Sequence, residues 1–160
     1  MRSLIAVATL MISCAVQGNE LRIHLPDQTT ITLNKAEIEQ EFSQTSFTTL
    51  LPWFEDNHQF SGILVSQLLE KYDVSDAFAV SFIALNDYSS TTSIEDINKY
   101  APMIAMKMDG KPMKVRHKGP YWLVYNLDEH PNINHANYHS QMVWQIDEIV
   151  IHSAQDGNKQ

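Results

Sequence analysis

Ala79-Val80-Ser81-Phe82-Ile83-Ala84-Leu85, followed by Asn86-Asp87-Tyr88-Ser89-Ser90, decides the fold class of this chain. The first seven residues are apolar at positions that point to both sides of a strand. A strand of that kind is covered on both faces and lies inside a sheet. The next five residues are a polar loop. Downstream, Met103 to Met108 pairs with a short strand beyond Asp109-Gly110, because Asp-Gly supplies the positive φ angles of a two-residue hairpin turn. Between these pieces Ser93, with Asp96 three residues on, caps a helix from Ile94 to Tyr100. Tyr121 to Tyr125 reads as an aromatic strand, Asn126 to Gln141 as a long loop, and Val143 to Ile151 as the last strand.

Upstream of the central run the pieces are shorter. Leu21 to Leu25 alternates as a strand, and Thr29 to Leu33 follows as a second. Asn34 opens a helix. Glu37 completes a capping box, Leu33 and Ile38 sit at the staple positions, and the helix ends before Ser43. Phe47 to Leu51 is extended, and Pro52-Trp53 opens a polar loop. Val65 to Tyr72 is a short helix with Leu68 and Leu69 inward. Strands outnumber helices, so the expected class is α+β, a mixed β-sheet with short helices.

The chain starts with one cation, Arg2, and an apolar run from Leu4 to Val16. That run is shorter than the roughly 20 residues a bilayer span needs. A basic start, an apolar stretch and the small residues Val16 and Gly18 make residues 1–18 a secretory signal peptide, with the mature chain starting near Asn19. The alternative is lipid attachment at Cys14, but Met11-Ile12-Ser13-Cys14 lacks the leucine expected three residues before the cysteine. The expected organisation is one domain over residues 19–153 and a flexible polar tail over residues 154–160. The expected location is the periplasm or the exterior.

With 19 acidic against 11 basic residues, the formal net charge is −8, and loss of Arg2 makes it one unit more negative. A phosphate backbone repels such a surface, which excludes nucleic acid as a partner. No segment of the mature chain is apolar and long enough for a membrane span. Cys14 is the one cysteine, so the exported domain is held by packing and not by disulfides. Three Trp, six Tyr and six Phe supply material for that packing.

Read in order, the chain contains Phe60-Ser61-Gly62 before a Leu-Leu helix, Ala84-Leu85-Asn86-Asp87-Tyr88 after a buried strand, and Met108-Asp109-Gly110-Lys111-Pro112. Lys118-Gly119-Pro120 before Leu123-Val124-Tyr125, and Trp144 in the final strand, complete the series. The series resembles the molybdopterin-binding domain of the sulfite-oxidase-like oxidoreductases, above all their small exported members, over roughly Leu33 to Ile151. The resemblance implies a sulfite-oxidase-like molybdopterin-binding fold, a molybdopterin cofactor and a cysteine thiolate on molybdenum. That thiolate belongs in the segment before the Phe-x-Gly element. Here the segment is Thr45-Ser46-Phe47-Thr48-Thr49-Leu50-Leu51-Pro52-Trp53, which offers hydroxyls only. A hydroxyl is a hard ligand of high pKa and does not replace a soft, readily ionised thiolate. The resemblance also implies an arginine where this chain has Trp122 and a lysine where it has Val143. Those cations would compensate the cofactor phosphate. Lys114, Arg116, His117 and Lys118 form a local basic cluster able to substitute.

The candidate ligand- or cofactor-binding residues are therefore Thr48 and Thr49 at the ligand position, Trp53, Asn86 and Tyr88 in loops at the cleft, and Arg116 and Lys118 in the basic cluster. Thr48 and Thr49 also read as ordinary strand residues, and Tyr121 and Trp122 read either as core or, with Trp53 and Tyr88, as the lining of an aromatic pocket for a flat ligand. His130, His135 and His139 share one loop. His135 and His139 would share a face if that stretch were helical, with Glu129 as a third ligand, and are the weak metal candidates. Adjacent acids such as Glu55-Asp56, Glu95-Asp96 and Asp147-Glu148 diverge in direction and read as solvated surface.

The functional expectation is a binding module. It keeps the fold and cleft, lacks the metal-ligating cysteine, and takes a small-molecule ligand or a periplasmic or membrane protein partner, with sensing as a natural use. The alternative is a molybdopterin-dependent oxidoreductase with a non-cysteine metal ligand.

Overall fold

Of the run at Ala79 to Leu85, all but Leu85, which is exposed in the following turn, is interior strand. In the computed structural model, which describes residues 20–154, it belongs to β5 and lies between two other strands. The signal peptide, its cleavage near Asn19, the alternative at Cys14 and the tail after Ala154 lie outside the described residues.

The elements in chain order are β1 (Glu20–His24), β2 (Thr30–Asn34), α1 (Lys35–Glu41), β3 (Thr45–Thr49), β4 (His58–Leu64), α2 (Val65–Lys71), β5 (Ala77–Ala84) and β6 (Ser89–Ser93). They continue with α3 (Ile94–Tyr100), β7 (Met103–Met108), β8 (Lys111–Pro112), β9 (Trp122–Val124), α4 (Ala136–Gln141) and β10 (Ile146–Ser153). The strands form two sheets. One has the order β2-β1-β10-β5-β6 and the other β3-β4-β7-β8, with β9 also paired to β7. The first sheet is mixed, because β1 and β10 run parallel and its remaining pairs antiparallel. A parallel neighbour needs a long crossover, and here nearly the whole domain lies between the two strands. The α+β class with short helices is the class observed.

The sheets pack through one face each. Leu21, Ile23, Val80, Phe82 and Ile149 of the first meet Ile63, Ile104 and Leu123 of the second in one buried cluster. The other face of the second sheet carries Phe60, Met103, Ala105, Trp122 and Val124, which form a second cluster with Leu51, Tyr125, Leu127 and Met142. The period-2 alternation of strand side chains makes this split. Leu123 enters one core, while Trp122 and Val124 enter the other.

Helix α1 begins where the capping box places it. Asn34 Oδ1 accepts from the Glu37 N–H at 3.1 Å, and Glu37 Oε2 accepts from the Asn34 N–H at 2.8 Å. Replacing Asn34 with alanine is expected to lower the unfolding free energy by about 1 kcal/mol. Urea unfolding of the two proteins checks this, and an unmoved midpoint would reject a capping role. In α2, Leu68 is buried and Leu69 is packed half-buried against the same core.

Five elements differ from expectation. Strand β3 spans Thr45–Thr49 rather than Phe47 to Leu51. The sequence shows β4 only as a motif before a helix, since Gly62 weakens a strand pattern. Here the glycine lets β4 lie against β7 at a bulge between Ser61 and Gly62. Strand β6, Ser89–Ser93, overlaps the expected loop; its small hydroxyl side chains lack apolar alternation, yet it pairs with β5 over five residues. The long loop from Asn126 to Gln141 contains a 3-10 turn at Pro131–Ile133 and the helix α4. The last strand starts at Ile146 rather than Val143, because Gln145 takes a positive φ of 55° and breaks the extended run. Among the described residues no helix is long and apolar enough to cross a membrane.

Candidate functional site

A cavity of about 400 Å³ opens where the end of β5, helix α4 and the Trp53 loop converge. Its walls are Trp53, Ala84, Asn86, Tyr88, His139, Ser140, Met142, Val143 and Trp144. The wall is largely apolar with a few polar groups, the usual constitution of a small-molecule pocket.

The turn after β5 carries two of these side chains. Asn86 Oδ1 accepts from the Tyr88 N–H at 3.2 Å, an Asx-type turn that suits the positive φ of 65° at Asp87. This holds Tyr88 at the rim, where it is 48% exposed. Its hydroxyl donates to the Ser140 carbonyl at 2.6 Å and so ties the turn to α4. On α4, His139 lies against Trp53 with centroids 6.2 Å apart and is hydrogen-bonded to Asn134 Oδ1 at 2.8 Å. Burial, helped by the neighbouring His135, pushes its pKa below the ordinary 6.5 and so favours the neutral imidazole.

Behind the cavity stands a tryptophan cluster. Trp53 meets Trp144 edge-to-face at 5.3 Å and Trp122 at 5.6 Å, and Trp122 meets Phe60 edge-to-face at 5.5 Å. Trp122 is fully buried, and its Nε1–H donates to the Met142 carbonyl at 3.1 Å. Lys118 closes the cluster. Its Nζ lies 3.4 Å from the Trp144 ring centroid, 5.2 Å from that of Trp53 and 5.3 Å from that of Trp122. The ring faces stabilise the cation there, while burial pulls its pKa below 10.5.

Of the sequence candidates, Trp53, Asn86 and Tyr88 come together at this cavity, and Lys118 lies against two of its wall residues. Thr48 and Thr49 do not reach it. Thr48 is exposed on β3, and Thr49 is fully buried with its Oγ1 accepting from the Asp128 N–H at 3.2 Å. They are edge-strand residues, and Thr49 anchors the loop after β9. Arg116 is exposed in a 3-10 turn, Val115–His117, away from the cavity wall. The basic cluster is divided: Lys114 and His117 border a separate depression beside Met113, while Lys118 turns to the tryptophans. Tyr121 and Trp122 are core.

Helix α4 does form, with His135 as its N-cap and His139 in its last turn. The expected third ligand is committed elsewhere, since Glu129 Oε2 accepts from Asn126 Nδ2 at 3.0 Å. Among the described residues no group of three or more His, Cys, Asp or Glu converges as a metal site. Sequence reasoning missed Ala84, Ser140, Met142 and Val143 as wall residues, and used Trp144 only as a motif. The Trp in the final segment was the available signal. The others carry none, because they enter the cavity through tertiary position.

Among curated proteins none matches this chain. Among solved structures it is similar to the sulfane dehydrogenase SoxCD from Paracoccus pantotrophus, with a TM-score of 0.64 and 15% sequence identity. The likeness covers 88% of this chain and 40% of that one, so the chain spans less than half the length of that relative. At that identity the likeness concerns the fold, which is the sulfite-oxidase-like fold. The family model described as the oxidoreductase molybdopterin binding domain matches residues 11–126. The chain therefore belongs to the oxidoreductase molybdopterin binding domain family.

Proposed function

We propose that this domain is an exported ligand-binding module of its family, one that works without a molybdenum centre. The observation that carries the reading is the chemistry of the cavity wall. The family cofactor calls for a soft, ionised sulfur ligand and for cations against its phosphate. Among the described residues there is no cysteine, and the sulfur at the cavity is the Met142 thioether, which carries no charge. Val143, at a position where the resemblance implies lysine, is 1% exposed and forms part of the wall. Trp122, at the position of an implied arginine, is buried among aromatic rings. Thr49, in the segment where the resemblance implies the thiolate, is engaged with Asp128. The described residues offer no ionised sulfur for a molybdenum centre, and the cation beside the cavity, Lys118, rests on the indole rings of its wall. The wall residues form an apolar aromatic cavity, which favours a flat small molecule, and a periplasmic or secreted sensory role follows naturally from such binding.

The test is expression with the native leader in a host that makes molybdopterin, followed by elemental analysis and mass spectrometry of copurifying small molecules. The expected result is no molybdenum and no pterin fluorescence after denaturation. Stoichiometric molybdenum with bound pterin would overturn the reading. For any small molecule recovered, Trp53→Ala is expected to weaken binding about five- to tenfold, the scale of a lost ring contact of about 1–1.4 kcal/mol. Unchanged affinity would place the ligand outside this cavity.

A further inference from the structure

We propose that the cavity selects a planar aromatic anion, such as an aromatic carboxylate or sulfonate of one or two rings, with Lys118 supplying the positive charge. This rests on the ligand-pocket reading above and names the ligand class.

Three observations carry it. First, Lys118 is held against the walls: its ammonium lies on the face of Trp144 and near that of Trp53, and both rings line the cavity. Second, that charge is uncompensated. Lys71 and Lys107 pair with Glu41 and Glu39, but among the described residues no carboxylate lies at ion-pair distance from Lys118. Third, the cavity wall contains no Asp or Glu, although the chain carries 19 of them against 11 Lys and Arg. The one titratable group in the wall besides Tyr88 is His139, which carries no negative charge in either its neutral or its protonated form. An acidic protein thus presents an aromatic cavity free of negative side chains with a half-buried cation against two of its wall rings.

The consequences follow from electrostatics. An anion in the cavity feels Lys118 within a Debye length and through protein rather than bulk water. The volume of about 400 Å³ suits one or two fused rings. Asn86 and Ser140 at the wall offer neutral polar groups for the ligand edge.

The probes are naphthalene-2-sulfonate and the uncharged naphthalene-2-sulfonamide, which share one planar two-ring skeleton. The readout is the ratio of their dissociation constants at low salt, measured by isothermal titration calorimetry. In Lys118→Met the preference for the sulfonate is expected to fall about tenfold, the order contributed by one partly screened charge pair. Lys118→Arg is expected to keep the preference, which separates charge from packing. Asn86→Trp, a substitution at an exposed position of the mouth, is expected to abolish binding of both probes. An equal ratio in wild type and Lys118→Met would overturn the anion selectivity and leave the pocket reading standing. Sulfonate binding that survives Asn86→Trp would place the anion site elsewhere and overturn it too. If neither probe binds the wild-type protein, the pocket reading itself falls.

Discussion

Replacing Trp122 with alanine is expected to remove about 3–5 kcal/mol of stability. Whole domains are stable by only about 5–15 kcal/mol, so this one change would bring the protein close to unfolding. Trp122 is fully buried at the centre of the second core, with Trp53, Phe54, Phe60 and Trp144 around its ring. Truncation opens a large void, and these rings cannot close it without moving β4 and β7. It also removes the Nε1–H donor from the Met142 carbonyl, leaving a buried acceptor without that bond. Trp122→Phe keeps a ring and loses the donor, so an intermediate loss is expected. Chemical denaturation followed by far-ultraviolet circular dichroism avoids the altered tryptophan signal. A loss below about 1 kcal/mol for the alanine variant would show that the cluster is not a packing centre. Because Met142 and Trp144 are cavity walls, the same variant is expected to loosen ligand binding as well.

The second large effect is expected at Gly62. A methyl group there would lie 2.0 Å from the Ile104 carbonyl oxygen and 2.9 Å from Ala105 Cα. Both atoms are backbone of β7, so neither can rotate away as a side chain would. The glycine is thus required by space. Gly62→Ala is expected to cost about 3 kcal/mol, at the upper end for overpacking, because two hydrogen-bonded strands must separate. An urea midpoint within experimental scatter of wild type would reject this. Gly110 is the contrasting case: it has a positive φ of 75° and open space around its Cβ position. Its role is conformational, at the turn after Asp109, whose own φ is 52°.

These two residues also show what was legible beforehand. Trp122 could be read as core from the aromatic run Tyr121 to Tyr125, because a strand of large apolar groups has nowhere to go but inward. Gly62 could be named as part of a motif, but its reason was out of reach. The clash that forbids a side chain comes from Ile104 and Ala105, about forty positions later in the chain. The site divides the same way. Trp53, Asn86 and Tyr88 were legible because each follows a strand and sits in a loop. Thr48 and Thr49 do not line the cavity. Strand β3 runs along an edge, and its buried threonine is taken by the loop after β9.

By itself the sequence determined the class of fold, most element positions, the family resemblance and the absence of a thiolate after Cys14. All of these depend on local patterns: strand and helix periods, caps, turn dipeptides and residue identity. Tertiary structure alone decided that the strands divide into two sheets with two cores, and that Lys118 leaves the basic cluster for the Trp144 face. It also decided that Val143 and Met142 become cavity wall. Those outcomes depend on which distant segments pack together, and packing is a property of shape in three dimensions that no local pattern encodes.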